Sequence, residues 1–518
     1  MSDTIIIGGG HNGLVAAYYL AKAGRRPLVL ERQPYVGGGA VTTEIHPGFR
    51  CPSLSHEILV DEKVVGDLNL KQNGVELIPL PALVCAPSSN GHALVLHDDV
   101  GASVAALRSV NRKDADAYAA FRASIERLSE VIGTTFDSPP PDIDAPTTSD
   151  LWNLLKAGRR FRALGKRDSY RLLRWLSMPV GDLMAEWFEN AQLKAVLAGP
   201  GVSGTMLGPR SAGSSMVMLL REASRLRSGG TSMRARGGPG AVTQAMARAA
   251  REAGAEIRTG VTVERITVTD GRVTAVVANG QTISCATVLS GLDPRTTFLS
   301  LVDPAELAPE FTTKVRNYRA SGTVAKVNLA LASLPAFRGI ADPTSLAGRI
   351  HIGPDLDYIE RAFDCVKYGN VSSSPWLDIT IPSIVDTELT PKGAHVASIY
   401  THYSPFTLRA TDWSMAKDVL LSNTLDALEA HAPGIRSLVV AADIVTPPEL
   451  QARVGASGGH MFHGELSLDQ LFTMRPLLGH ANYGSPIRGL HLCGAGTHPG
   501  GFMTGTSGRL AARALLRQ

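Results

Sequence analysis

Apolar runs of strand length alternate with helix-patterned stretches from the first residues of the chain. Thr4-Ile5-Ile6-Ile7 reads as a strand, Asn12–Ala23, rich in Ala, Leu and Val, as a helix, and Pro27–Glu31, built on Leu28-Val29-Leu30, as a second strand. Gly24 follows the helix as its C-terminal cap. Two strands joined by a helix predict a βαβ unit with a parallel sheet. From about Asp98 to Ser228 the pattern becomes mostly helical, broken by Ser138-Pro139-Pro140-Pro141. A second α/β stretch begins at Gly237-Gly238-Pro239-Gly240, with a helix over Ala241–Ala253. Strands then follow at Glu256–Arg258, Val261–Val268, Arg272–Ala278 and Thr282–Ser284. Strands and helices mix from about Phe298 to Thr446. The last block repeats the opening order: Leu490-His491-Leu492-Cys493, a glycine turn over Gly494–Gly501, and a helix to Leu516. No repeat with a period of about 20–50 residues interrupts this order.

The expected fold class is α/β. A Rossmann-like domain is assembled from discontinuous segments, 1–80, 229–297 and 447–518. An inserted, mixed substrate-facing domain spans 81–228 and 298–446 and carries the helical insert.

Composition narrows the function classes. The chain is 44% hydrophobic and 19% charged, with 52 Gly and 31 Pro, which is ordinary for a globular α/β protein rich in tight turns. A net charge of +4 is too small to point to nucleic acid as a partner. Cys51, Cys85, Cys285, Cys365 and Cys493 are far apart and form no Cys-x-x-Cys, which argues against a disulfide framework, a zinc site and a dithiol redox centre. A reducing, cytoplasmic location is expected, because a strand-like run begins at Thr4 where a secretory leader would lie. No apolar run reaches the roughly 18 residues of a membrane span.

The chemistry starts at Gly8-x-Gly10-x-x-Gly13, between the first strand and the first helix. Gly8 allows the tight turn, Gly10 lets the backbone approach a pyrophosphate, and Gly13 lets helix and strand pack closely. The helix N-terminus adds free N–H groups and a partial positive charge. Glu31, at the end of the second strand, stands where an acid accepts hydrogen bonds from an adenosine ribose. NAD needs nothing further. A second cluster, Gly37-Gly38-Gly39-Ala40-Val41, and a third, Gly494–Gly501, suit a longer cofactor, FAD, whose flavin ring meets a second helix N-terminus.

These motifs resemble the phytoene desaturase and amine oxidase group of FAD-dependent oxidoreductases. Its glutathione reductase/GDI-type fold also appears in Rab GDP-dissociation inhibitors. The resembling stretches include Gly8–Ser55, Glu186–Gly208, Arg236–Val302, Ser457–Pro476 and Gly489–Ala512. The resemblance implies non-covalent FAD held by Gly8, Gly10, Asn12, Gly13, Glu31, Arg32, Gly38, Ala40, Val41, Gly494, Met503 and Thr504, with Val263 meeting the adenine. Two departures stand out. Many relatives carry Gly-Gly-Arg where this chain has Gly37-Gly38-Gly39, and amine oxidases often carry an acid near Ala495, which is absent here.

The flavin carries the hydride chemistry and the protein orients it. No second strand–glycine–helix–acid unit exists for NAD(P)H, so oxygen or a quinone is the expected electron acceptor. The leading expectation is a dehydrogenase or desaturase of a hydrophobic, unsaturated small molecule, or a flavin-dependent isomerase. An amine or amino-acid oxidase and a GDI-like, non-catalytic binding module are the alternatives. His463, within Gly458–Glu465, and His498, within the third glycine run, are the candidate catalytic residues, since a histidine titrates near 6.5 and exchanges protons at neutral pH. Asp293-Pro294 reads as a helix N-cap with Pro at the first helical position. Asp469 and Arg475 read as a structural charge pair or as solvated groups.

Leu151–Trp175 holds Lys156, Arg159, Arg160, Arg162, Lys166, Arg167, Arg171 and Arg174 against Asp168, interleaved with Trp and Leu. Such a segment either lies on an anionic membrane surface, giving peripheral membrane contact, or packs its apolar face inside the protein.

Overall fold

The computed structural model describes residues 4–143 and 146–517. Three distant parts of the chain meet in one five-stranded parallel sheet. Its strands run in the order Leu490–Leu492, Thr287–Ser290, Thr4–Ile7, Pro27–Glu31 and Glu256–Thr259. The central strand Thr4–Ile7 is wholly buried, which is why its sequence is a continuous apolar run rather than an alternating one. Helices His11–Lys22, Gly238–Glu252 and Thr506–Leu515 cover this sheet with Ala-rich faces. The helix expected from Ala241 begins three residues earlier, with Pro239 in its first turn, where a missing N–H costs nothing.

The C-terminal ends of three neighbouring strands, Thr4–Ile7, Thr287–Ser290 and the edge strand Leu490–Leu492, set the site. Gly8, Gly291 and Cys493-Gly494 follow them directly, linked by Gly291 N–H to Ile7 O at 2.8 Å and Cys493 N–H to Ser290 O at 2.8 Å. In parallel sheets this edge is where ligands bind.

A second, seven-stranded sheet runs Val439–Val445, Val324–Leu331, His395–His402, Leu377–Thr380, Arg349–Ile352, Val84–Pro87 and Ala93–Leu96. Its pairs are antiparallel except Arg349–Ile352 with Val84–Pro87. The helical insert, from Val100–Arg108 to Ser214–Arg227, packs on it through a core that includes Phe121, Trp175, Met184 and Leu219. A three-stranded antiparallel sheet, Val263–Thr269, Arg272–Ala278 and Gln281–Ser284, sits beside the parallel sheet.

The basic segment departs from a single helix. It forms Thr148–Ala163 and Gly165–Ser177, divided at Gly165, whose φ of +75° suits glycine. The first helix buries no residue, whereas the second buries Leu172 and Trp175. Inward packing of the apolar face therefore holds for the second helix, while the first rests on the core only through the partly buried Phe161 and leaves Leu151, Trp152, Leu154 and Leu155 exposed.

Close backbone approach at the sheet edge gives a stability prediction. A Cβ on Gly494 would stand 2.5 Å from Gly291 O, so the strand ends must separate. Gly494→Ala is expected to destabilise the protein by about 1–3 kcal/mol in urea unfolding, as overpacking does. Gly66→Ala, in helix Glu62–Asp67 with no atom within 4 Å of the new methyl, should be neutral or stabilising. Equal midpoints for the two variants would refute this account of the edge.

Candidate functional site

The glycine loop does in space what its spacing predicts. Gly8 turns with φ +96° and its N–H donates to Leu30 O at 2.9 Å. A Cβ on Gly13 would lie 2.2 Å from Gly8 O, so only glycine lets the helix approach this turn. Gly10 is the N-cap of helix His11–Lys22 and no side chain caps it. Among the described residues beyond its own turn, only Gly38 Cα comes within 4 Å of a Cβ built there, at 4.0 Å, so the loop stays open toward the cavity. The second cluster is held beside the first by Gly37 N–H donating to Gly9 O at 2.9 Å. Glu31 is buried, and its two carboxylate oxygens accept from Gly9 N–H at 2.6 Å and Gln33 N–H at 2.8 Å.

A cavity opens over this loop. Gly8, Gly10, Asn12, Gly13, Glu31, Gly38, Ala40, His463 and Met503 all line it. The remaining predicted positions do not. Arg32 is exposed and donates to Ala452 O at 2.6 Å. Val41 packs in a small core with Leu54 and Val445. Val263 opens its strand two residues after Val261, whose N–H donates to Glu31 O at 2.9 Å, so it lies near the acid end. Gly494 packs against Gly291, and its neighbour Ala495 lines the cavity instead. Thr504 is turned inward: its carbonyl accepts from Asp61 N–H and its hydroxyl from Thr506 N–H. Asn12, besides lining the cavity, accepts from Gly508 N–H at 3.3 Å and so ties the first helix to the last.

His498 is the clearest correction. It lies away from this cavity, in a hollow beside Pro139 and Phe472, with Nε2 2.9 Å from Thr135 O. Burial drives its pKa down to about 4. The residues between Cys493 and Gly501 fold back on themselves, which carries this ring to the far side of the loop. His463 does face the cavity, in company the sequence did not reveal: His11 and His460 line it too. Burial lowers the pKa of His463, against the pull of Asp293, and lowers that of His11 to about 4. His11 occupies a variable position of the glycine motif, so its type carried no signal. Asp293 is the N-cap its sequence suggests, accepting from Thr296 N–H at 3.0 Å, with Pro294 at the first helical position.

Arg475 and Asp469 do not pair. Asp469 binds Arg319 at 2.6 Å near the surface. Arg475 is fully buried and donates to four carbonyls, those of Phe462, Glu465, Gln470 and Ala495. It thereby joins the His460–Glu465 loop to the third glycine run.

A second cavity of about 240 Å³ adjoins the first at Glu57, which lines both. Its walls are mainly apolar, with Leu83, Leu96, Phe121, Ile125 and Met218 among them. His56 lines it, and His56 Nδ1 lies 3.0 Å from the buried Lys326 Nζ. Lys326 sits over the Tyr400 ring at 4.4 Å, and burial lowers its pKa to about 7. Burial also holds His56 well below 6.5. Sequence reasoning missed Lys326, although one lysine in the run Val324-Ala-Lys-Val-Asn-Leu-Ala-Leu marks a buried amine.

The family model described as FAD dependent oxidoreductase matches residues 3–364. The chain belongs to the FAD-dependent oxidoreductase family. Like other members it takes FAD, and the open Gly10 turn, uncapped helix and buried Glu31 fit that cofactor. Pyridine nucleotide-disulfide oxidoreductase domain-containing protein 2 of Rattus norvegicus is 35% identical, across 99% of this chain and 93% of its own length. Phytoene dehydrogenase of Streptomyces griseus is 27% identical, across 99% and 94%. Among solved structures, a putrescine oxidase triple mutant shares the fold with a TM-score of 0.62 at 14% identity, covering 100% of this chain and 99% of its own.

The histidines desolvated by the fold predict acid sensitivity. His11, His491 and His498 sit near 4 when folded, against 6.5 when exposed. Above pH 6.5 both states are neutral and these groups contribute nothing. Below it the unfolded chain binds protons first, so stability falls as pH drops from 6.5 toward 4. The urea midpoint should decline between pH 7 and pH 5, before most carboxylates titrate, and His491→Gln should reduce that slope. An unchanged midpoint over this range would contradict the assignment.

Proposed function

We propose that the protein is a dehydrogenase or desaturase of a hydrophobic, unsaturated small molecule, with flavin-dependent isomerisation of double bonds as its close variant. The observation that carries this reading is the apolar cavity meeting the FAD cavity at Glu57. Gly8, Gly10, Asn12, Gly13, Glu31, Gly38, Ala40 and Met503 are assigned to holding the cofactor, supported by their place around one cavity. The same reading divides the chain into a cofactor unit, 1–80, 229–297 and 447–518, and a substrate unit, 81–228 and 298–446. Its support is that each large sheet draws its strands from one of these sets.

Bound FAD supplies a two-electron acceptor for hydride removal from carbon. The proton lost beside the hydride needs a neutral acceptor on the protein. His56 lines the substrate cavity, and Lys326 stands behind it with a pKa of about 7, matched to taking a proton near neutral pH. The half-buried, neutral His463 serves as a second acceptor on the cofactor side. Electrons leave to oxygen or a quinone.

Anaerobic mixing with polyenes should bleach the flavin, while amines should leave it oxidised. Lys326→Met should slow bleaching by about a hundredfold or more with FAD content unchanged. Bleaching by amines alone would favour an amine oxidase. No bleaching by any substrate would favour a GDI-like binding module.

Helix Thr148–Ala163 supports peripheral contact with an anionic membrane as the route of substrate delivery. Leu151, Trp152, Leu154 and Leu155 are each at least half exposed, and Leu151–Trp175 holds seven net positive charges against +4 for the whole chain. Vesicles containing anionic lipid should float the protein at low salt and release it at high salt. Trp152→Glu should abolish flotation, and equal flotation on neutral vesicles would refute the electrostatic part. No helix among the described residues is long and apolar enough to cross a membrane.

A further inference from the structure

The apolar cavity is not apolar throughout. Five arginines and two glutamates contribute to its walls. Most of these charges are matched. Arg122 binds Glu222 and Glu126, Arg225 binds Glu222 and reaches Asp98, Arg221 binds Glu57, and Arg349 binds Asp378 at 3.3 Å. Arg234 is the exception. It is only 7% exposed, yet among the described residues no carboxylate lies within ion-pair distance of it. Its Nη2 donates to Ala347 O at 3.1 Å, and its Nε has no partner among the described residues. Asp386 feels its charge from farther away but is already engaged by Gly237 N–H at 2.6 Å and by Arg236 at 3.7 Å. Two further buried donors on the same walls lack partners, Arg221 Nε and Thr380 Oγ1.

A guanidinium stays ionised at any physiological pH, and burying one without a counter-ion is costly. Unfilled donors in the same lining add to that cost. Both costs are removed by a ligand that brings one negative charge and several acceptor lone pairs. Because each of the other cavity arginines has a carboxylate in ion-pair reach, Arg234 is the single unpaired positive charge among the described residues of the lining. A carboxylate, with two oxygens suited to the guanidinium fork, satisfies it, whereas a diphosphate would overfill it.

We propose that the cavity binds an amphipathic acid, an apolar unsaturated chain whose carboxylate seats against Arg234 with Thr380 as an additional donor. This rests on the reading of the cavity as the substrate site and narrows the substrate class within it. The chain lies along Leu83, Leu96, Phe121, Ile125 and Met218, and the head occupies the wall formed by Arg234, Thr380 and Arg349.

The test uses the FAD-loaded protein and displacement of a fluorescent polyene acid by oleic acid, its methyl ester, oleyl alcohol and farnesyl diphosphate. Oleate should displace the probe at least about tenfold more tightly than the ester or the alcohol, the loss expected when a charged hydrogen-bonding partner is removed. Arg234→Met should erase that preference while methyl oleate binding and FAD content stay unchanged, and Thr380→Val should reduce it. Equal affinities for acid and ester, a preference for the diphosphate, or an intact acid preference in Arg234→Met would each overturn the proposal. If Arg234→Met does not fold, the wild-type ratio of acid to ester and the Thr380→Val variant decide it. Flavin bleaching, followed separately, divides the two claims. Selective acid binding without bleaching by any unsaturated acid leaves the head site standing and defeats the desaturase reading. Bleaching by neutral polyenes together with equal acid and ester affinity does the reverse.

Discussion

The contact between the Gly8 carbonyl and the bare α-carbon of Gly13 is the constraint on which the rest of the arrangement depends. A methyl group at Gly13 would stand 2.2 Å from that oxygen, so the first helix comes this close to its strand only because Gly13 has no side chain. The approach aims the uncapped helix N-terminus at the sheet edge and lets Gly9 N–H reach Glu31 Oε2. The last helix repeats the device, since a methyl on Gly508 would stand 2.1 Å from Asn12 O. Segments nearly five hundred residues apart are thus locked together beside the uncapped helix N-terminus, the place proposed for the cofactor's phosphates.

Charge buried around the two cavities organises the rest. Arg475 takes no carboxylate and spends its donors on four carbonyls, which fixes the loop that carries His460 and His463. Gly500 must be glycine for this reason, because a methyl there would lie 2.3 Å from Arg475 Nε. On the other side, Lys326 gives up most of its preference for the charged form and leans on His56, Ser398 and the Tyr400 ring. Low dielectric makes each of these groups costly to bury alone, so their concentration around the cavities marks a place shaped for ligand and chemistry rather than for stability.

What the sequence revealed follows the range of the interactions involved. The first βαβ unit was legible because strand, turn, helix and acid lie within one stretch and each step is local: Gly8, Gly10, Gly13 and Glu31 all line the cavity. The strands Thr287–Ser290 and Leu490–Leu492 were legible as strands, but their places beside Thr4–Ile7 are set by pairing across hundreds of residues. His498 was misjudged because proximity along the chain to a glycine run says nothing of which side a folded loop presents. Arg475 was misread as one of a charge pair because its partners are backbone carbonyls, which every residue carries. His56 and Arg234 gave no local pattern, and Lys326 only the mark of a lone amine in an apolar run, since their meeting is made by separate strands and loops.

The central claim is that the turn from Gly8 to Gly13 anchors the FAD. Gly10→Val tests it most directly, because Gly10 has only Gly38 Cα near its missing methyl and a larger side chain there fills the space the phosphates need. Bound flavin per chain, measured by absorbance after gel filtration with FAD, should be close to one for the wild type. It should fall to near zero for Gly10→Val, with circular dichroism unchanged. A folded Gly10→Val protein that keeps a full complement of FAD would contradict the account.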